Sequence, residues 1–381
     1  MKQNKAHLFT RRGLGGLALG LAFASSAMAQ DAITIGVTGP MTGPAAQYGE
    51  AWVEGFDLAL EAINAEGGIN GTPLEYIFED SQNDPRQTVA IAQKFINDPK
   101  IVVEIGDFSS TSSMAASPLY QRAGLVQFGM TNSHPDFTKT GDYIWSPSIP
   151  QSQEQPLHAA FAYDGLGMRK VAVMHLNTDW GTTAMTLFTD AFKEMGGEVV
   201  AIEGYLPEEK DFRATLTRIK AAAPDGIMLE SYYPDAALIV RQLRDAGIDI
   251  PILGVGSIYS PSFIELAGEA SEGVYTSAYF SPTFTRPEVK EFVDLFVETY
   301  GHEPNSFNAY AYDAMNILAA VMREYGTTRE DIKNGLAEIS GISSVIFPEV
   351  DFDPETRRVS GPVTTPLVVK DGKFEIYEAE G

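Results

Sequence analysis

From Ile33 onward the chain alternates short apolar, β-branched runs with longer stretches of helical periodicity. The runs are Ile33–Thr38, Leu74–Asp80, Ile101–Gly106, Leu125–Gly129, Lys170–His175, Glu198–Gly204, Asp225–Ser231 and Ile250–Val255. Runs of this length and composition, bounded by turn formers, predict strands. Between them the apolar spacing changes to that of a helix. In Tyr48–Gly68, Phe56, Leu60 and Ile63 fall at i, i+4 and i+7, and Gly67–Gly68 stops the pattern. These three residues are expected in a core. Strands alternating with helices predict βαβ units and parallel sheets. The series breaks once, at residues 146–156, a stretch of Pro, Ser and Gln without periodicity that reads as a crossover between domains. It then restarts at Lys170 with a second strand, polar loop and helix. The last third is mostly helical, Pro287–Gly301 and Phe307–Gly326, and ends in two short strands, Pro366–Lys370 and Lys373–Glu378, about an Asp-Gly turn. Helices that follow the second strand series have no sheet face left there, so they are expected to return to the first lobe. The fold class is α/β, with two doubly wound parallel-sheet lobes.

The first 29 residues carry Lys2, Lys5, Arg11 and Arg12, no acid, an apolar run and the small-residue site Ala27-Met28-Ala29. This is the pattern of an export signal cleaved after Ala29, and Arg11-Arg12 suggests the twin-arginine route. The apolar run is too short for a spanning helix, and a soluble periplasmic protein is expected. The chain has no cysteine, which excludes disulfides, thiol catalysis, cysteine-ligated zinc and attachment through an N-terminal lipidated cysteine. The leader holds four of the 27 basic residues and none of the 51 acids, so the remainder is more acidic still than the chain's net −24. Nucleic acid and anionic membrane surfaces are thereby disfavoured as partners. With 44% hydrophobic and 20% charged residues the chain can fill cores, but its 381 residues exceed what one core supports.

Signals of enzyme chemistry are poor. There is no nucleophile elbow, no phosphate-binding loop and no strand-linked G-x-G-x-x-G. His7, His134, His158, His175 and His302 are scattered without metal-ligand spacing. No cofactor or metal is implied. The loops after the strands say more, because ligands of open α/β sheets bind outside the carboxyl ends of the strands. Residues 39–49, 106–114 and 129–138 in the first half, and 175–182, 230–237 and 254–262 in the second, each mix glycine, hydroxyls or amides with aromatics. Facing each other across a cleft, they have the composition of a small-molecule pocket. The densest, Ser109-Ser110-Thr111-Ser112-Ser113, is either a helix start able to hold an anion or a solvated loop with one capping hydroxyl.

The segments "IGVTGPMTGPAAQYG", "INAEGGINGTPLE", "SSTSSMAAS", "DWG", "EKDF" and "YYPDAALIVRQLRDAG" resemble, in order, the leucine/isoleucine/valine-binding family of type I periplasmic solute-binding proteins. The resemblance implies two lobes joined by three crossing strands, near residues 149–152, 277–281 and 349–355, that close on ligand by hinge motion. The lobes would comprise 30–150 with 279–351, and 151–278 with 352–381. It implies a monomer that binds a small carboxylate-bearing solute and delivers it to an inner-membrane ABC permease and its ATPase, without catalysis. The alternative is a periplasmic sensory receptor for an amide, urea or amino-acid-like ligand. Carried over by motif, the carboxylate site falls on Ser110 with the neighbouring Ser109 and Thr111, and on Met130-Thr131. The aromatic wall falls on Tyr48, the second-lobe tyrosine on Tyr232, and side walls on Trp180 and Phe307. One position departs from the pattern. Amino-acid-binding members carry a glutamate for the ligand's ammonium where this chain has Gly256. Either Glu230, Asp107 or Asp179 substitutes, or the ligand has no ammonium.

Overall fold

In the computed structural model the described residues are 31–207, 209–359, 361 and 364–378; the expected signal segment lies outside them. Strands β1 (Ile33–Gly39), β2 (Leu74–Asp80), β3 (Ile101–Gly106), β4 (Val126–Phe128) and β5 (Ile144–Trp145) form a parallel sheet in the order β2-β1-β3-β4-β5. A second sheet follows from β6 (Lys170–Leu176), β7 (Glu198–Tyr205), β8 (Gly226–Glu230), β9 (Ile252–Gly254) and β10 (Val274–Ala278), all parallel. A short antiparallel pair, β11 (Phe352–Asp353) and β12 (Arg358–Val359), stands apart. The second sheet is completed at one edge by β13 (Thr365–Lys370) and β14 (Lys373–Ile376), which run antiparallel. Every strand expected from the apolar runs is present within a residue or two. Among the described residues β5, β10, β11 and β12 have no counterpart in the apolar runs, although β10 and β11 overlap two of the crossings that the resemblance implies.

The central strands are buried from end to end, six of seven residues in β1 and all five in β8, because helices cover both faces of a parallel sheet. In the first sheet these are α1 (Ala46–Ala65), α2 (Pro85–Asn97) and α3 (Ser110–Ala123); α4 (Gln151–Ala160), α5 (Asp179–Glu194), α6 (Arg213–Ala222), α7 (Tyr233–Asp245) and α8 (Pro261–Ala267) accompany the second. The final helices, α9 (Pro287–Tyr300), α10 (Ser306–Tyr325) and α11 (Arg329–Glu338), come after the second strand series. Helix α10 nevertheless packs along α1, and α11 touches β3 and β4. Phe56 and Ile63 of α1 are in the core, and Leu60 packs against it. Close approach of the two long helices needs Gly55, where a Cβ would lie 2.3 Å from the Asn308 carbonyl oxygen. Asn308 fixes the pair further by donating to the Ala51 carbonyl at 2.9 Å and to Glu54 at 2.8 Å.

The strand at β11 belongs with the first sheet's elements, since Phe352 packs on Phe128 and Trp145. Its partner β12 brings in Arg358, which is 4% exposed and donates to the carbonyls of Asn132, His134 and Ser148. In both sheets the strand order reverses once, between β1 and β3 and between β6 and β8. The loops leaving the carboxyl ends at these reversals are the ones that build the site.

Candidate functional site

Helix α3 begins immediately after β3, and its hydroxyls divide the work of that start. Ser109 is the N-cap and accepts from the Ser112 amide at 3.2 Å. Ser113 donates to the Asp107 and Ser109 carbonyls, and Ser112 to the Asn83 carbonyl. Ser110 differs from these, because its Oγ accepts from the His134 amide at 3.2 Å. A hydroxyl has one proton and two lone pairs, so that bond leaves the Ser110 proton to donate. The helix start adds free amides and the positive end of its dipole. The run is therefore more than a capped loop: Ser109 and Ser110 line a partly open cavity of about 80 Å³ between the two sheets.

Thr131, from the loop after β4, lines the same cavity and is held there by donating to the Phe108 carbonyl at 2.9 Å. Opposite elements supply aromatics. Trp180 lies at the start of α5 and Tyr232 just before α7; their rings stack at 4.9 Å, and Tyr232 also meets Phe108 at 5.1 Å. Phe307, in the first turn of α10, and the backbone of Gly256 complete this part of the wall. Seven of the ten residues expected from sequence thus surround one cavity.

Three do not. Tyr48 is 1% exposed and lies behind Phe108, ring on ring at 3.9 Å. Its hydroxyl donates to the Ser257 carbonyl at 2.8 Å and accepts from the Tyr233 amide at 3.1 Å. Phe108 forms the wall in its place, and Tyr48 bridges α1 to the second sheet's loops. Met130 is fully buried in the core. Thr111 faces a second, neighbouring cavity of about 410 Å³, shared with Ser109 and Tyr232, and accepts from the Trp180 amide at 3.3 Å.

The acids considered as substitutes for the missing glutamate are also elsewhere. Asp107 is buried under the loop, accepting from Thr88 and the Phe108 amide. Asp179 is exposed. Glu230 is fully buried at the end of β8 and lines neither cavity. His175 is buried beside β7, with Nδ1 3.2 Å from the Leu176 carbonyl, and lines neither cavity either.

Sequence reasoning missed Glu154, Tyr279 and Tyr310, which form a second polar group on the inner cavity. Glu154 sits in the first turn of α4, and Tyr279 donates to its Oε1 at 3.3 Å. Burial raises the Glu154 pKa to about 7. The signal that could have found it is one acid in an otherwise uncharged Pro, Ser and Gln segment beside an expected crossing. Among the described residues no group of three or more His, Asp or Glu side chains is placed to hold a metal ion. No helix among them is long and apolar enough to cross a membrane.

Several bonds tie the two sets of loops together across the cavity. Besides Tyr48, Trp180 Nε1 donates to Ser133 at 3.2 Å, and His134 Nε2 and Thr183 Oγ1 lie 3.0 Å apart.

Residues 32–373 match the family model described as periplasmic binding protein. A Pseudomonas aeruginosa protein named leucine-, isoleucine-, valine-, threonine-, and alanine-binding protein is 30% identical over 326 residues, 85% of each chain. The solved branched-chain amino acid transporter substrate-binding protein of Streptococcus pneumoniae, in complex with isoleucine, is 28% identical at TM-score 0.84, with 90% of this chain and 98% of that one covered. A solved leucine-binding protein from Thermotoga maritima is 25% identical at TM-score 0.84, over 91% of this chain and 98% of that one.

Proposed function

The chain belongs to the leucine/isoleucine/valine-binding family of periplasmic binding proteins, and from that premise we propose that it is the solute-binding component of an ABC uptake transporter. It takes a small carboxylate-bearing solute into the inner cavity and delivers it to an inner-membrane permease and its ATPase. The observation that carries this reading is the Ser110 hydroxyl, held by the His134 amide so that its proton is free to donate into the cavity beside the start of α3. A carboxylate there accepts charge-assisted hydrogen bonds and meets the helix dipole. Ser109 and Thr131 flank it, and Phe108, Trp180, Tyr232 and Phe307 enclose the apolar part of the solute. The amino-acid names of the relatives make amino acids the first class to try.

The protein works in the periplasm as a monomer after cleavage at Ala29, without catalysis. Its lobes are the two sheets with their helices, and they close about the three crossings. The contacts of Phe352 and Arg358 support placing the last crossing after Val359 rather than at 351.

The test is a thermal-shift screen of the mature protein against amino acids, aromatic acids, amides and urea. A ligand at a hundred times its dissociation constant stabilises by about 2.7 kcal/mol, so a cognate carboxylate raises the melting temperature clearly. A screen in which only uncharged solutes shift it would reject the carboxylate reading.

A further inference from the structure

The carboxylate site uses only one of the inner cavity's two polar groups. The other is Glu154, a half-buried acid whose carboxylate has one hydrogen-bond partner among the described residues, the Tyr279 hydroxyl. None of the ion pairs formed among those residues includes it. The groups around it bring no positive charge. On β8, Glu230 is fully buried, accepts from Gln155 at 3.1 Å, and has its Oε1 unpartnered; burial and the Glu154 charge push its pKa well above the usual carboxylate range. On α4 itself His158 is buried, its Nε2 2.7 Å from Ser277 Oγ, and burial keeps it neutral, with a pKa lowered to about 4. Tyr279, beyond β10, and Tyr310, on α10, are phenols kept neutral by burial and by the same charge.

A half-buried acid beside Tyr279 and Tyr310, without a cation, is a costly arrangement unless something that enters the cavity completes it. No cationic side chain lines the cavity, whose other polar side chains are serine, threonine and tyrosine hydroxyls and the Trp180 indole. At Gly256 the wall is backbone, and a Cβ there would lie 3.0 Å from the Ser277 carbonyl oxygen. None of Asp107, Asp179 and Glu230 lines the cavity, so one carboxylate remains.

We propose that Glu154 is the counter-charge for a cationic nitrogen of the solute, so that the protein selects a small molecule bearing both a carboxylate and a protonated amine. The inference rests on the reading of Ser110 and α3 as the carboxylate site and adds the residue that reads the other charge. A solute of this kind brings its own positive charge to the one place in the cavity that lacks it. The same acid without its amino group leaves Glu154 uncompensated, and discrimination between the two follows from that difference.

The experiment is calorimetric titration at pH 8 of the wild type and of Glu154→Gln with matched pairs, each amino acid beside the same acid lacking its amino group, leucine and 4-methylpentanoate among them. Glutamine keeps the size of the side chain and still accepts from Tyr279, and a thermal melt of the variant verifies that it is folded. The wild type binds an amino acid of the panel at least about tenfold more tightly than its partner. Glu154→Gln weakens that amino acid about ten- to a hundredfold and leaves the amine-free acid bound as tightly as before or more tightly. Equal affinity of the wild type for both members of every pair, or an amino acid affinity unchanged in Glu154→Gln, overturns the inference and leaves the carboxylate site standing. A protein that binds no carboxylate of either kind overturns both.

Discussion

The two polar groups of the inner cavity owe their readiness to opposite circumstances. Ser110 has a partner that occupies its acceptor side and frees its donor; Glu154 has too few partners, and burial raises its pKa to about 7 from the ordinary 4.5. The second circumstance has a signature in stability. Between those two values the folded protein retains a proton that the unfolded chain has lost, so this contribution is fully present below about pH 4.5 and is lost as pH rises through 7. Glu154→Gln removes the penalty. Without solute, its unfolding free energy in urea should match the wild type near pH 4 and exceed it by about 1–3 kcal/mol at pH 8. Identical profiles would mean that burial does not disfavour the charged carboxylate. Asp235 and Asp313, each raised by burial to about 6, act with the same sign and leave the variant a shallower slope of its own. Ser110, Trp180 and Tyr232 stand in loops after strands whose composition marked them, and the family resemblance assigned their roles and that of Phe307. Glu154 was not, because residues 146–156 read as a connector, and nothing in one dimension places the first turn of α4 against a cavity made by α3, α5 and α10. Tyr48 was misplaced by one layer, since motif and composition do not tell a lining aromatic from the one stacked behind it.

At the scale of elements, apolar runs gave most strands, and the exceptions have a common cause. The sequence Val274–Ala278 is short and carries Thr276 and Ser277, so its strand character comes from partners: β9, nearby, and β13, some ninety residues further on. The two-residue strands β5, β11 and β12 likewise exist only through their pairings. The return of α10 to α1 was readable as a lack of free sheet face, and the contact that makes it fit is Gly55. A methyl group there would meet the Asn308 carbonyl, which is part of α10 and cannot move alone. Gly55→Ala gains helix propensity of up to about 1 kcal/mol but overpacks the seam. A net loss of roughly 1–3 kcal/mol is expected in urea denaturation. A variant as stable as the wild type would show that the two helices have room to separate.

For the whole molecule, the cavity is walled from both sides because the loops of both sheets touch. Tyr48 is the clearest of these ties, joining α1 to the backbone at Tyr233 and Ser257. Tyr48→Phe keeps the stack on Phe108 and deletes only the hydroxyl. If the lobes open and close around solute, this bond exists in the closed form alone, and its loss appears as faster release. Stopped-flow dissociation should quicken severalfold, up to about tenfold, for a neutral hydrogen bond worth about 0.5–1.5 kcal/mol, with association little changed. A variant that slows association and leaves release alone would place the tie on the path of entry instead. The two lobes themselves were visible as two series of strands and helices, whereas the packing of Phe352 and Arg358 with the first sheet was not, because it depends on carbonyls of residues 132–148 that carry no mark in the sequence. The central claim is that a carboxylate is held at the start of α3 by Ser110. Calorimetric titration of the wild type and Ser110→Ala with a cognate acid and its uncharged carboxamide tests it most directly. The acid is expected to bind and the carboxamide to bind far more weakly, with Ser110→Ala costing the acid about 1.5–3 kcal/mol, roughly ten- to a hundredfold in affinity. Equal binding of acid and carboxamide, unchanged by Ser110→Ala, would contradict it.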